Sequence, residues 1–573
     1  MRFRGLILLL LLCRFNFSAF GQSARHYDVL IHEFLTDPTP SVGLPASSFI
    51  ELKNISGTTR NLHNWKIGNG NSTATFKKDY LLMADSFLII CPVSAAADYS
   101  TFGPALGLSG FPSLNNDAGE IILISEEGSV IHAIQYDKSW YRNELKSEGG
   151  WSLEMIDPKN SCSGFSNWSA SEQATGGTPG QPNSVFAPNP DQQGPDLLRS
   201  ISPDSVHILV LFSEPLDSLS AASISNYAFS PDLGSPIEAI PVPPLYDRVA
   251  LTLKEPMLLQ QIYTLTMQQV IDCSANEISL HNSCKVGLPE PPVSQDLIFN
   301  EILFNPPPYG FDYVELYNRS RKVIDLQKIF LGGRDVLGAV KDPRRLTPEP
   351  MLFFPGEYAV LTENPEWTIQ NFTVIDPEKL IPMSALPSMP DDQGTILLLN
   401  AAGEVLDELP YDHHWHSPLL ANEEGVSLER IQPDKPTALA SNWSSAASSA
   451  GFGTPTYKNS ESFSDGEGKD QVSVEPKIFS PDNDGYQDFC FVKYQLPQTG
   501  FTANIFIYDM NGRVVRQLAN NSTLSMEGSF RWEGLDDTLN PLPMGHYVIC
   551  VNLFSVSGKV KKYKVVATLA KKY

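Results

Sequence analysis

Asp412, His414 and His416 stand at alternate positions, and alternate residues of an extended strand point to one face, so two imidazoles and a carboxylate could converge on a transition-metal ion. Asp482, Asp484 and Asp488 surround Gly485 and bring hard oxygens to a sharp glycine turn, which is part of what a Ca²⁺ loop needs. The bidentate Glu of an EF-hand is missing downstream, and an Asp/Asn-Gly turn held by side-chain to backbone hydrogen bonds accounts for the same residues. No cofactor is expected, with calcium the ion these three acids could take. Glu51 with Glu154, and Glu315 with Glu429, offer paired carboxylates, and acid–base catalysis needs two acids at a defined separation with divergent pKa values. The expectation for them is instead a structural role in the edge strands of a sandwich. The chain contains no GxSxG, HExxH, P-loop or Rossmann fingerprint, so no catalytic residue is assigned and the reading is noncatalytic.

Crosslinking chemistry rests on seven cysteines, of which Cys13 lies in the N-terminal leader described below. Of the other six (Cys91, Cys162, Cys273, Cys284, Cys490 and Cys550), Cys273 and Cys284 share one short polar stretch and are the expected disulfide. A loop of that size contributes about 3 kcal/mol when closed; two buried thiols are the alternative. None of the six has the CxxC spacing of a zinc site.

The elements that must position these residues follow from composition and pattern. Forty-five Pro and 39 Gly separate many short apolar runs, which describes strands and tight turns, so the fold class is all-β, a multidomain string of sandwiches. At 573 residues, the prior of roughly 150 residues per domain suggests about four domains. Arg2 and Arg4, the apolar run Leu6 to Leu12, and Ala19-Phe20-Gly21 read as a secretory signal peptide over residues 1–22. A lipoprotein at Cys13 would place Leu12 where a small residue belongs. The apolar run is far below the roughly 18 to 20 residues of a membrane span, and no later segment reaches that length. Cleavage removes three Arg and no acid, moving the formal charge from −24 to −27. A surface so acidic repels phosphate backbones, so no nucleic-acid partner is expected, while divalent cations would be attracted.

A long internal repeat sets the organisation. Phe111-Pro112-Ser113 with Asn116-Asp117-Ala118-Gly119 returns as Leu386-Pro387-Ser388 with Asp391-Asp392-Gln393-Gly394. The register then holds from Tyr136-Asp137 to Tyr411-Asp412, from Ser152-Leu153-Glu154 to Ser427-Leu428-Glu429, from Ser166-Asn167-Trp168-Ser169 to Ser441-Asn442-Trp443-Ser444, and from Gly177-Thr178-Pro179 to Gly453-Thr454-Pro455. At the front, His32-Glu33-Phe34 answers Asn300-Glu301-Ile302, and Phe49-Ile50-Glu51-Leu52 answers Tyr313-Val314-Glu315-Leu316. Where the second copy has Asp412, His414 and His416, the first has Asp137, Ser139 and Tyr141, so the fold itself needs no metal there. Trp140, Trp168, Trp415 and Trp443 recur at equivalent positions, which fits core packing better than a carbohydrate platform.

Phe49-Ile50-Glu51-Leu52-Lys53-Asn54 and Tyr313-Val314-Glu315-Leu316-Tyr317-Asn318, then Gly150-Trp151-Ser152-Leu153-Glu154-Met155 and Gly425-Val426-Ser427-Leu428-Glu429-Arg430, resemble the motifs of bacterial members of the lamin-tail family. Met155 departs from the Arg usual at that place. The resemblance implies an immunoglobulin-like sandwich with an interaction role. Val206 to Leu216, with Phe212-Ser213-Glu214-Pro215 and then Asn226-Tyr227, resembles Ig-like spacers of bacterial surface proteins. The end of the chain, with Phe479 to Gly485, Ile507 to Val515, Trp532-Glu533-Gly534 and Met544 to Tyr547, resembles the C-terminal Ig-like modules of exported Bacteroidota proteins, of the hook-capping or gliding-motility type. Related modules often serve as address labels for type IX secretion. Asp509 to Gly512 reads as a hairpin turn.

The expected layout is a signal peptide at 1–22, lamin-tail-like sandwiches at 24–186 and 293–460, an Ig-like spacer at 190–290 and a terminal Ig-like module at 472–573. The function expected is an exported structural and interaction protein of the cell envelope or surface, binding a protein or polysaccharide there. A secreted metal-dependent hydrolase of nuclease type and a polysaccharide-binding adhesin are the alternatives.

Overall fold

The computed structural model describes residues 24–335, 337–420, 422–462, 471–482, 487–555 and 557–570. The expected leader, 1–22, lies outside the described residues. Strands account for 40% of the chain and helices for 9%, so the all-β expectation holds. Among the described residues no helix is long and apolar enough to cross a membrane. The described chain divides into two compact units, one of 24–199, 207–255 and 264–284, the other of 200–206, 256–263 and 285–570.

In the first unit a six-stranded sheet runs in the order Trp168–Ala170, Leu153–Met155, Val29–Leu35, Phe49–Asn54, Phe87–Pro92, Ala105–Leu108. A four-stranded sheet, Val130–Asp137, Ala118–Ile124, Lys66–Gly68 and Thr73–Thr75, completes the first copy of the repeat. One core joins the two, with Phe34, Leu52, Trp65, Leu123, Tyr136, Trp140 and Trp168 among its members. The second unit repeats the pattern. Its six-stranded sheet runs Trp443–Ser445, Leu428–Arg430, Leu297–Leu303, Tyr313–Asn318, Tyr358–Thr362, Leu380–Pro382, and it has its own four-stranded sheet and core. The match extends to defects: the register slips between Ile31 and Glu33 in one copy and between Phe299 and Glu301 in the other.

Val29–Leu35 and Leu297–Leu303 are buried at every position. A strand that covers a core on one face alone would alternate. The absence of alternation means that the second face is covered too, and what covers it in the first copy is the segment after Thr175, as its hydrogen bonds to the sheet show.

The middle stretch contributes to both units. Within the first, His207–Phe212 and Glu238–Pro241 flank Arg248–Thr252 as antiparallel neighbours, and Tyr227–Ser230 pairs with residues 264–267. At the end of the chain a five-stranded and a three-stranded sheet enclose a core that includes Trp532, Ile505, Ile549 and Leu553. Its strands Phe501–Tyr508 and Val514–Leu524 are joined at the expected hairpin, where Asp509 Oδ1 accepts the amides of Asn511 (2.9 Å) and Arg513 (3.0 Å) and Gly512 has φ +78°.

Candidate functional site

The paired carboxylates are the most concentrated chemistry in the molecule. Antiparallel pairing sets Glu33 opposite Glu51 on one side and opposite Glu154 on the other, and Glu301 likewise between Glu315 and Glu429. Directly paired residues on neighbouring strands share a face, so each copy carries a row of three carboxyls, and all six are fully buried. The strands that hold them are interior to the six-stranded sheets, not edge strands as expected from the sequence. Two more strands pair outside Phe49–Asn54, and one pairs outside Leu153–Met155.

A strap from the end of each copy closes over the row. In the first, Glu33 Oε1 accepts Ser152 Oγ (2.6 Å) and the Thr178 amide (2.8 Å), and Glu51 Oε2 accepts the Gly180 amide. Glu154 accepts Thr178 Oγ1 (2.9 Å), Ser184 Oγ (2.8 Å) and the Val185 amide (3.1 Å). In the second copy Glu301 accepts Ser427 Oγ (2.6 Å) and the Thr454 amide (2.9 Å), Glu315 accepts the Thr456 amide (2.6 Å), and Glu429 accepts Thr454 Oγ1, Ser460 Oγ and the Glu461 amide, each at 2.8 Å. No Lys or Arg donates to either row among the described residues, so burial acts on these carboxyls without a cation to offset it. Burial pushes Glu33 up to about 8 against its hydrogen bonds, with the Glu154 charge adding to it. Burial also raises Glu51 and Glu315 well above the carboxylate range, raises Glu301, and brings Glu429 to about 8. His32 Nδ1 lies 3.1 Å from Glu51, and burial holds this imidazole neutral by lowering it to about 3. Asn300, which cannot ionise, donates to Glu315 at the same place in the second copy (2.7 Å). Sealed from solvent in this way, the carboxyls fasten the strap.

The other repeated residues are used internally as well. Asn54 Nδ2 donates to the Thr58 and Leu82 carbonyls, and Asn318 Nδ2 to those of Lys322 and Phe353. Asn167 and Asn442 each donate to two carbonyls and accept one amide at the turn before their Trp. Trp168 and Trp443 are buried and lie 5.8 Å and 6.3 Å from Trp140 and Trp415, as the core-packing expectation required. The departure at Met155 has a partner. Arg430 is buried, donates to the Phe299 and Lys435 carbonyls and to Thr437 Oγ1, and pairs with Asp407 at 3.5 Å. Asp407 in turn accepts the Phe299 amide (2.9 Å). In the first copy His132 occupies the Asp407 position and its Nδ1 accepts the equivalent amide, that of Ile31 (2.8 Å). An ion pair has been exchanged for a neutral imidazole and a thioether side chain.

The disulfide differs from expectation. Cys273 bonds Cys162, 111 residues away, with Cα atoms 6.2 Å apart, and Cys284 is not part of the bridge. Cys284 belongs to the strand Ser283–Val286, whereas Cys273 sits in a turn in which Asp272 Oδ1 accepts the amides of Ser274 and Asn276. Beside the bridge, oxygens of Asp191, Glu214 and Asp272 lie within 4.8 Å of one another, a convergence of three separate segments that the sequence did not reveal.

Asp412, His414 and His416 do not share a strand face. Asp412 ends the strand Val405–Asp412, and the next three residues form a 3-10 turn capped by Asp412 Oδ1 through the His414 amide (2.8 Å). The turn rotates His416 inward, where it is buried against Phe304 with Nδ1 2.9 Å from Ser445 Oγ. It leaves His413 and His414 beside Asp412, with one ligand atom from each of the three within 4.8 Å of the others. Of the calcium residues, Asp484 lies outside the described residues; the Asp482 amide donates to Asp488 Oδ1 (3.2 Å), a contact of the turn type.

No family model matches the chain, and no curated protein matches it. Among solved structures, CopC from Methylosinus trichosporium OB3b aligns at 16% identity over 18% of this chain and 97% of its own, with a TM-score of 0.14. The S-layer protein rSbsC(31-844) aligns at 11% identity over 66% of this chain and 55% of its own, with a TM-score of 0.16, so the chain spans about half of that protein. PorZ, a surface component of the type IX secretion system of Porphyromonas gingivalis, aligns at 12% identity over 92% of this chain and 69% of its own, with a TM-score of 0.16.

Proposed function

We propose that the chain is an exported, noncatalytic structural and interaction protein of the cell envelope or surface, with two lamin-tail-like modules, an Ig-like spacer and a terminal Ig-like module that acts in sorting or anchoring. One observation carries the reading: the residues that recur between the copies are consumed in internal hydrogen bonds and core packing. Duplication has preserved a scaffold, and on this reading the differences at the surface of the copies are what a partner would read. The acidic mature surface and the leader-like N-terminus support export. Its partner on this reading is a protein or polysaccharide of the envelope.

Fractionation of the source cells, with mass spectrometry of the termini, tests the proposal. Surface-held protein trimmed after about residue 470 is the expected result. An intact C-terminus confined to the periplasm refutes surface display, and a specific hydrolase activity of the purified mature chain refutes the noncatalytic reading in favour of a metal-dependent hydrolase.

A further inference from the structure

The two copies hold a common carboxylate frame at the end of the strands Val130–Asp137 and Val405–Asp412. Asp137 Oδ1 caps its turn through the Ser139 amide (2.7 Å), as Asp412 does through His414 (2.8 Å). Glu148 reaches back to Lys138 Nζ (3.1 Å), as Glu423 reaches back to His413 Nδ1 (3.2 Å). The frame is a feature of the fold, and the side chains inside it are free to differ. The first copy fills it with Lys138 and Ser139, a cation already paired and a short hydroxyl. The second fills it with two imidazoles whose ring centroids are 4.0 Å apart.

Each imidazole is held through Nδ1. His414 Nδ1 lies 2.7 Å from Asp412 Oδ1 and His413 Nδ1 lies 3.2 Å from Glu423 Oε2. A neutral imidazole that donates from Nδ1 presents its lone pair at Nε2, and a carboxylate on Nδ1 both fixes that tautomer and makes the ring a better ligand. Both rings remain accessible, His414 more than His413. Two imidazole nitrogen donors suit a borderline divalent ion such as Zn²⁺ and not Ca²⁺, which takes oxygen ligands.

We infer that His413 and His414 bind one divalent transition-metal ion through their Nε2 atoms at the surface of the second copy, with Glu423 as a positioning residue for His413 and Asp412 as one for His414. The site is specific to that copy and stands apart from the shared scaffold.

The internal repeat supplies the test. The substitutions His413→Lys and His414→Ser install the residues the first copy carries in the same frame, so the variant retains a sequence known to be compatible with the fold. Calorimetric titration of the full mature chain with Zn²⁺ is expected to give one equivalent bound by the wild type. That uptake is lost in the double variant, whose metal-free melting matches the wild type. Glu423→Gln is expected to weaken binding by roughly 10- to 100-fold, the effect of losing an outer partner of a ligating histidine. Unchanged stoichiometric uptake by the double variant, or none by the wild type, overturns the proposal. So does equal affinity in the wild type, Glu423→Gln and Asp412→Asn, because two exposed imidazoles would then be binding adventitiously without the frame.

Discussion

Glu33 makes the stability of the first copy fall as pH rises, and the size of the fall can be worked out. In the unfolded chain its carboxyl titrates in the ordinary range near 4.5; in the folded protein burial and the neighbouring Glu154 lift it to about 8. Between those values the folded state holds a proton that the unfolded state has released, so the stabilisation is fully present below the ordinary carboxylate range and is lost as pH rises toward 8. The slope for one such proton is about 1.4 kcal/mol per pH unit, and the whole interval amounts to on the order of 5 kcal/mol. Glu51, raised by burial and then by the Glu33 charge, adds to the slope. Glu33→Gln replaces the protonated acid with a neutral group of the same shape and removes this titration. Hydrogen exchange of the peptide over 176–185, corrected for intrinsic rates, reads the opening of the strap directly, since the Thr178, Gly180 and Val185 amides are bound to the row. Protection in the wild type should drop steeply between pH 6 and 8, and the variant should show a shallower drop. A flat wild-type profile, or a variant as pH-dependent as the wild type, would refute the account of Glu33 as a protonated acid.

Three further predictions concern the packing differences between the copies and the crosslink. Cys162→Ser opens a loop of 111 residues and should lower the stability of the oxidised protein by about 4 kcal/mol, whereas Cys284→Ser should leave it near the wild type; calorimetric melting with and without reductant separates them. Asp407→Ala strands a buried Arg430 and should cost about 3 to 5 kcal/mol, while Asp407→His with Arg430→Met, the pair found in the first copy, should recover most of it in a double-mutant cycle by urea unfolding. Glu461 is buried with Oε2 unsatisfied, at the place where the first copy has Val185, and Glu461→Val should raise the urea midpoint at neutral pH by the equivalent of about 1 to 3 kcal/mol.

The β class and the repeat were legible because both are written locally: turn residues punctuate short apolar runs, and a duplicated register holds over dozens of positions. The motif residues were visible but not their task. Glu51 and Glu154 looked like acids at the rim of a sandwich because acids are seldom buried. What identifies them as interior is Glu33 between them, inside a strand with no polar face, and that strand is buried on both sides only because a strap more than 140 residues later lies across it. The same distance hid the crosslink. Spacing favoured Cys273 with Cys284, but a strand had already committed Cys284 to its sheet, and Cys162 arrives through tertiary contact. His414 and His416 failed for a different reason: alternation assumes an extended backbone, and Asp412 caps a 3-10 turn that exchanges His416 for His413.

The two copies together separate what the fold requires from what it permits. The required set is what both retain: the row of three carboxyls, the threonine that bridges two of them, the asparagines that tie the turns, and the tryptophan at the seam. Where the copies differ inside the core they differ in compensating pairs, as with His132 and Met155 against Asp407 and Arg430, so the backbone amide of the central strand is satisfied either way. Compensation of that kind maintains the fold and carries no information for a partner. Lys138 and Ser139 against His413 and His414 change the surface chemistry while leaving the frame intact. A protein that acts by display needs this division, because a scaffold held by buried groups leaves its surface free to diverge. On the proposed reading, the imidazole pair of the second copy is where the difference between the modules becomes a difference in what they bind.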